Sequence, residues 1–267
     1  MRFAALILVA IAACARAGDP PPKGTRIVSL TPSATEVVAA LGSTAELVGV
    51  DDFSTYPAEV KALPKVGSFV QPNVEAIVRL HPTLVIVDDI HASTAKALSD
   101  TGLTSIACPM HDIADVRTCL REVGGRLGKQ READAQIASI DTAVAAARAH
   151  PAQRSKVLAV IDRAAGNLGN AVAAGQGSWI GELLDIVGAD NAVADSHTRY
   201  PKVSLETMLR SSPDVILDLS GQDLAAWSDL DVPAVKNKRV FALTGEYLQS
   251  PRPRIAQALE AIAKAVR

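Results

Sequence analysis

The groups able to do chemistry are few and scattered: five histidines and three cysteines along 267 residues. No CxxC or HExxH spacing occurs, so no dedicated zinc site is encoded. His91 and His197 are the histidines whose chemistry would suit a cleft, because imidazole can take an axial place on haem iron or on cobalt. Each reads equally as a solvated loop residue. With Asp89 they would hold a bare metal ion only if their loops met. His81 precedes Pro82 at a helix end, and His111 and His150 read as surface or helix-end residues. No GxSxG elbow is present, and nothing brings a nucleophile to a base. Asp51-Asp52 and Asp88-Asp89 are adjacent pairs whose side chains should diverge along strands, which makes poor acid/base pairs. Gly175 to Gly181 has the spacing GxGxxxG, not GxGxxG, and reads as a turn with a Ser cap. The chain is expected to be no enzyme and to hold no resident cofactor.

Aromatic residues make up only 3% of the chain, so their placement is informative. Phe69, Trp179 and Tyr200 fall in loops or helix starts at sheet ends, where α/β clefts form. Phe53, Tyr56 and Phe69 share the long stretch Asp51–Val70, a binding-loop candidate. Lys and Arg number 27 against 29 Asp and Glu, a net charge of −2. No basic run could follow a phosphate backbone, which excludes nucleic acid as a partner. A monomer is expected.

The N-terminus reads as an export signal. Met1-Arg2 leads into an eleven-residue apolar run, Phe3 to Ala13. That is short of the roughly 20 residues a bilayer span needs but suits a signal peptide. Ala15-Arg16-Ala17 before Gly18 fits ordinary cleavage. Ile11-Ala12-Ala13-Cys14 resembles a lipobox that would make Cys14 a lipidated first residue. Both readings stay open, as does the location: the periplasm, or the outer surface of a membrane by a lipid anchor. Cys108 and Cys119 would then meet an oxidising compartment. They read either as a disulfide or as two small buried hydrophobes.

The elements that must position these residues come in two copies. Asn73 to Val87 can be laid on Ser204 to Asp218 with Glu, Arg and Pro coinciding at an offset of 131. Each copy is a polar cap, a short helix with Glu75 or Glu206 in its first turn, a Pro stop and a buried strand. Upstream, Ser33–Gly42 parallels Gly177–Gly188, with Glu36 over Glu182. Strand patterns at Arg26–Leu30, Leu47–Val50, Leu84–Val87 and Ser105–Ala107 are answered by Val157–Ile161, Ala171–Ala174, Val215–Leu219 and Val240–Ala242. Helical patterns between them imply parallel sheets covered on both faces. Lys129–His150 carries no Gly or Pro and predicts one rigid rod. The fold class is therefore α/β: two similar lobes with parallel sheets, joined by one long rigid helix, with a ligand cleft between them. The expected organisation is a signal peptide over 1–17, a tether over 18–25, a lobe over 26–128, a linking helix over 129–151 and a second lobe over 152–267.

Arg26-Ile27-Val28-Ser29-Leu30-Thr31-Pro32-Ser33-Ala34-Thr35-Glu36, then Leu47–Val50, Thr55-Tyr56-Pro57 and Leu63-Pro64-Lys65-Val66-Gly67, resembles one family closely. It is similar to the periplasmic substrate-binding proteins of cobalamin, siderophore and haem ABC importers, nearest the cobalamin-binding type. The resemblance runs from about Arg26 to Arg267. It implies a receptor that takes a cobalamin-like tetrapyrrole or other metal chelate between its lobes and delivers it to an inner-membrane ABC permease. It implies that Glu75 and Glu206 dock into Arg pockets of that permease. It also implies that Tyr56 and Tyr247 stand beside the ligand; Phe69, Trp179 and Tyr200, by their place at sheet ends, and His91 are further candidate contacts. After Val87 the chain carries Asp88-Asp89-Ile90-His91 where cobalamin-type members tend to carry Trp followed by small residues.

Overall fold

The computed structural model describes residues 24–152 and 154–267. The signal segment, Cys14 and most of the expected tether lie outside the described residues.

The first lobe is β1 (Ile27–Ser29), α1 (Pro32–Ala40), β2 (Leu47–Val50), the short pair β3 (Gly67–Ser68) and β4 (Gln71–Pro72), α2 (Val74–Arg79), β5 (Leu84–Val87), α3 (Ala92–Asp100) and β6 (Ser105–Ala107). Its sheet runs β2-β1-β5-β6, parallel throughout. β5 is buried at all four positions, as a central parallel strand covered on both faces must be. α1 starts where Thr31 Oγ1 accepts from the Ala34 N–H and Pro32 fills the first helical turn.

α4 (Ile113–Leu127) and α5 (Gln130–Ala149) carry the chain across. α5 is a single 20-residue helix, about 30 Å of rod. It packs on α4 and α1 of the first lobe and on α9 and α6 of the second. Cys108 and Cys119 are joined as a disulfide with Cα atoms 5.3 Å apart, tying the chain beyond β6 to α4.

The second lobe is β7 (Lys156–Asp162), β8 (Ala171–Ala173), α6 (Trp179–Ile186), β9 (Asp190–Asn191), β10 (Lys202–Val203), α7 (Leu205–Ser211), β11 (Val215–Asp218), α8 (Pro233–Lys236), β12 (Val240–Ala242) and α9 (Ile255–Val266). The order is β10-β8-β7-β11-β12, with β9 beside β7. β7, β9, β11 and β12 pair in parallel. The expectation of an all-parallel sheet is corrected at β8 and β10, which are antiparallel. Eight residues separate β7 from β8, too few for the crossover a parallel strand requires. Gly166 and Asn170 turn the chain there with φ of 65° and 61°.

The internal repeat survives in backbone detail. Asn73 and Ser204 cap α2 and α7 alike. His81 and Ser212, each just before the repeated proline, take left-handed φ of 45° and 46°. One apolar core runs through both lobes, with Val37 and Leu41 of α1, Ile137 and Ile140 of α5, Leu183 of α6 and Leu259 of α9 all buried in it.

Candidate functional site at the lobe junction

The loops leaving the C-terminal ends of the strands meet where the lobes face each other. On the second lobe, the ends of β7, β11 and β12 and the start of α6 enclose a cavity of about 480 Å³. Its wall includes Trp179, Tyr200, Ser220, Gly245 and Gln249. Tyr200 is 49% exposed, whereas Trp179 is buried with its indole N–H unpartnered. The flank of the junction holds a larger cavity, about 710 Å³, between α1, the Tyr56 loop, Gln136 of α5, and Pro253 with Arg254.

The segment Leu248–Arg254 runs between the two cavities and is fastened to the opposite lobe. Glu36 of α1, 3% exposed, accepts from Arg252 Nη1 at 2.9 Å, Arg254 Nε at 2.8 Å and Arg254 Nη2 at 2.6 Å. Such charge-assisted bonds are short and strong because both partners are ionised. Ser33 and Ser250 hydroxyls meet at 3.0 Å beside them. The Arg254 guanidinium lies over the Tyr56 ring, 4.0 Å from its centroid. Thr55 Oγ1 donates to Glu246 at 2.8 Å. The Tyr56 loop thus belongs to the first lobe by chain and is held by the second, leaving the Tyr56 ring 43% exposed.

The other expected contacts scatter. Tyr247 is half-buried, packs over Gly245 and lines a groove between β12 and α9, away from Tyr200. Phe69 is half-buried at the β3–β4 turn, edge-on to the His91 ring at 5.4 Å. His91 as a ligand contact is corrected. It is 3% exposed, its Nδ1 accepts from the Asp88 N–H at 2.9 Å, and its Nε2 donates to the Phe69 carbonyl at 2.5 Å. Both ring nitrogens are spent on the backbone, so this histidine braces the Phe69 turn and has no lone pair left for a metal. His197 is exposed elsewhere. Among the described residues, no group of three His, Cys, Asp or Glu is placed to hold a metal ion.

The Asp88-Asp89 pair also departs from expectation. Asp88 ends β5 and caps a 3-10 turn rather than continuing a strand, so the two carboxyls meet. Burial, then the hydrogen bond with Asp89, pushes Asp88 up to about 6. That bond and one from His111 hold Asp89 down, at about 2.

Two clusters carried no motif. Asp218, at the end of β11, is 1% exposed and accepts from Arg163 Nε and Trp227 Nε1, each at 2.7 Å, and from Ser220 N–H and Oγ at 3.0 and 2.5 Å. This network lies directly behind Ser220 of the cavity wall. Its signal in sequence is an acid closing an otherwise apolar strand. The second cluster is Glu36 with Arg252 and Arg254; its signal was the repeat itself, which singles out Glu36 and Glu182.

Glu75 and Glu206 stand far out on α2 and α7, with side chains 81% and 85% exposed. Among the described residues, each carboxylate is paired only with the arginine one turn along its own helix, Arg79 at 3.3 Å and Arg210 at 3.7 Å. Exposed pairs of this kind hold their partners weakly.

Comparison with known proteins agrees with this geometry. The family profile described as periplasmic binding protein matches residues 27–247. The chain is 28% identical over 254 residues to the uncharacterized ABC transporter substrate-binding lipoprotein YvrC of Bacillus subtilis, covering 90% of this chain and 79% of that one. It is 28% identical to the vitamin B12-binding protein of Vibrio cholerae, over 91% of this chain and 89% of that protein. Among solved structures, the periplasmic heme-binding protein RhuT of Roseiflexus sp. RS-1 in apo form superposes with a TM-score of 0.79 at 28% identity, covering 91% of this chain and 97% of that one. The vitamin B12-binding protein BtuF of Vibrio cholerae superposes with a TM-score of 0.74 at 25% identity, covering 90% and 96%.

Proposed function

The chain belongs to the periplasmic binding protein family, and on that premise we propose that it captures a cobalamin-like or other metal-chelate ligand between its lobes and delivers it to an ABC permease. The observation that carries the ligand class is the exposure of one tyrosine from each lobe, Tyr56 beside the flank cavity and Tyr200 on the second-lobe wall, in a chain with few aromatics. A flat macrocycle gains most from rigid aromatic faces, with few polar groups fixing its orientation. The ligand is cargo: no covalent step is required of the protein.

Haem and ferric siderophores are the alternatives within the same fold, and relatives named for vitamin B12 and for heme support the class without choosing between them. A bare-ion receptor is disfavoured by the committed nitrogens of His91. Delivery would use Glu75 and Glu206, one exposed carboxylate per lobe, each suited to a bidentate arginine. The protein works outside the cytoplasm, as its family does; lipidation at Cys14 is the proposed means of holding it at the membrane, supported by the lipoprotein name of the Bacillus relative.

The test is titration of the purified protein with cyanocobalamin, haemin and a ferric siderophore, followed by tryptophan and tyrosine fluorescence. Saturable one-to-one quenching by one of them is expected. Absence of saturation with all three overturns the ligand class.

A further inference from the structure

Glu36 and Glu182 occupy matching places in the two copies of the repeat, on α1 and α6 and each six residues before a left-handed glycine, Gly42 or Gly188. Each reaches across to the other half. Glu36 binds Arg252 and Arg254 of the second lobe. Glu182 Oε2 accepts from the Ile113 N–H at 3.1 Å, at the start of α4. Both receiving segments follow the C-terminal ends of sheet strands, β12 and β6. Arg252 is three residues beyond Gln249 of the second-lobe cavity. Ile113 is two beyond His111, whose Nε2 meets Asp89 at 2.9 Å at the end of β5. We propose that Glu36 and Glu182 are a repeat-related pair of positioning residues that together set the gap between the lobes, Glu36 as the fixed point and Glu182 as the contact that yields.

The asymmetry follows from the partners. Glu36 is a buried carboxylate between two guanidiniums, and parting it strands charge in the interior. Glu182 is half-buried and gives up a single backbone N–H. Burial also holds its carboxyl above the ordinary value, against the Ile113 hydrogen bond. Opening of the lobes would therefore pivot about α1 and the Arg252 segment while α4 draws away from α6.

The reading of the cleft as the ligand site enters only the binding arm of the test. Amide hydrogen exchange of the intact ligand-free protein is compared for wild type, Glu36→Gln, Glu182→Gln and Glu182→Leu. Glu36→Gln is expected to speed exchange at Gln257 and Ala258, whose N–H groups donate to the Arg254 carbonyl, and also at Ile113, which Glu36 does not touch. Glu182→Leu should speed Ile113 alone, and Glu182→Gln, which keeps an acceptor, should leave both as they are. If Glu36→Gln leaves Ile113 exchange unchanged, the two contacts are independent and the proposal fails. Should Glu36→Gln not fold, Glu36→Asp, which keeps the charge but falls short of both arginines, is read in the same way. In the binding arm, affinity for whichever of cyanocobalamin or haemin the wild type binds should fall about tenfold in Glu36→Gln and Glu182→Leu, a loss of 1.4 kcal/mol. Binding of neither by wild type would leave the exchange result alone to decide this proposal.

Discussion

Replacing Asp218 by Asn probes the wall of the second lobe from behind. The side chain keeps its shape and one acceptor for Ser220, but it loses the charge that faces Arg163. Arg163 is fully buried in the native state, with its side chain 0% exposed and its Nη2 committed to the Asp223 carbonyl. It cannot swing out to water without dismantling that contact and its place over Trp227. Breaking one side of a buried pair in this way costs about 3–5 kcal/mol. In a domain of this size that lowers the melting temperature by about 10 °C and moves the urea midpoint at an unchanged slope. The loss should depend on pH in a definite direction. Burial alone would raise the Asp218 pKa, but the hydrogen bonds from Ser220, Trp227 and Arg163 outweigh it and hold the carboxyl below its ordinary value. A depressed carboxyl contributes stability that is present above the unfolded pKa and lost as pH falls through the folded one. The gap between wild type and Asp218→Asn should thus be widest near neutrality and close as pH drops below about 4. A loss under about 1 kcal/mol at pH 7, or one equally large in strong acid, would show that buried Arg163 does not depend on the Asp218 charge.

Alanine at both Glu75 and Glu206 should leave ligand affinity and melting temperature unchanged, since both side chains are solvated, yet abolish uptake in a reconstituted transport assay; normal uptake would show that docking lies elsewhere. Reduction of Cys108–Cys119, or Cys119→Ser, should cost about 3 kcal/mol in urea unfolding, from the chain entropy that a loop of this length restrains, and an unchanged midpoint on adding reductant would contradict that. Asp88→Asn mimics the protonated acid. Because burial and Asp89 raise the Asp88 pKa to about 6, its contribution is present below the unfolded value and lost as pH rises through about 6. The variant should therefore melt higher than wild type at pH 8 and equal it at pH 4, as differential scanning calorimetry would show.

Much of the fold could be read from periodicity, because parallel strands buried on both faces leave continuous apolar runs such as Leu84–Val87 and Val215–Leu217. The rod was legible for the converse reason: Lys129–His150 offers no residue that could break it. β8 misled because a short apolar run does not carry its direction; only the eight-residue turn before it does. The site was less legible than the frame. Aromatic type singled out Tyr56, Tyr200 and Tyr247 alike, and carried no sign that the Tyr247 ring folds back over Gly245. His91 looked like a free imidazole because its two acceptor and donor partners are backbone atoms, one of them 22 residues away at Phe69. Glu36 and Arg252 lie 216 residues apart, and no local pattern announces such a pair. The repeat located the glutamate without revealing its partner.

On this account the space between the lobes carries a metal chelate. Native mass spectrometry of the protein mixed with equimolar cyanocobalamin, haemin and a ferric siderophore tests it most directly. A single one-to-one adduct with one of the three, lost in the Tyr56→Ala, Tyr200→Ala double variant, is the result predicted. A spectrum of bare protein alone, or an adduct that persists undiminished in that variant, would contradict it.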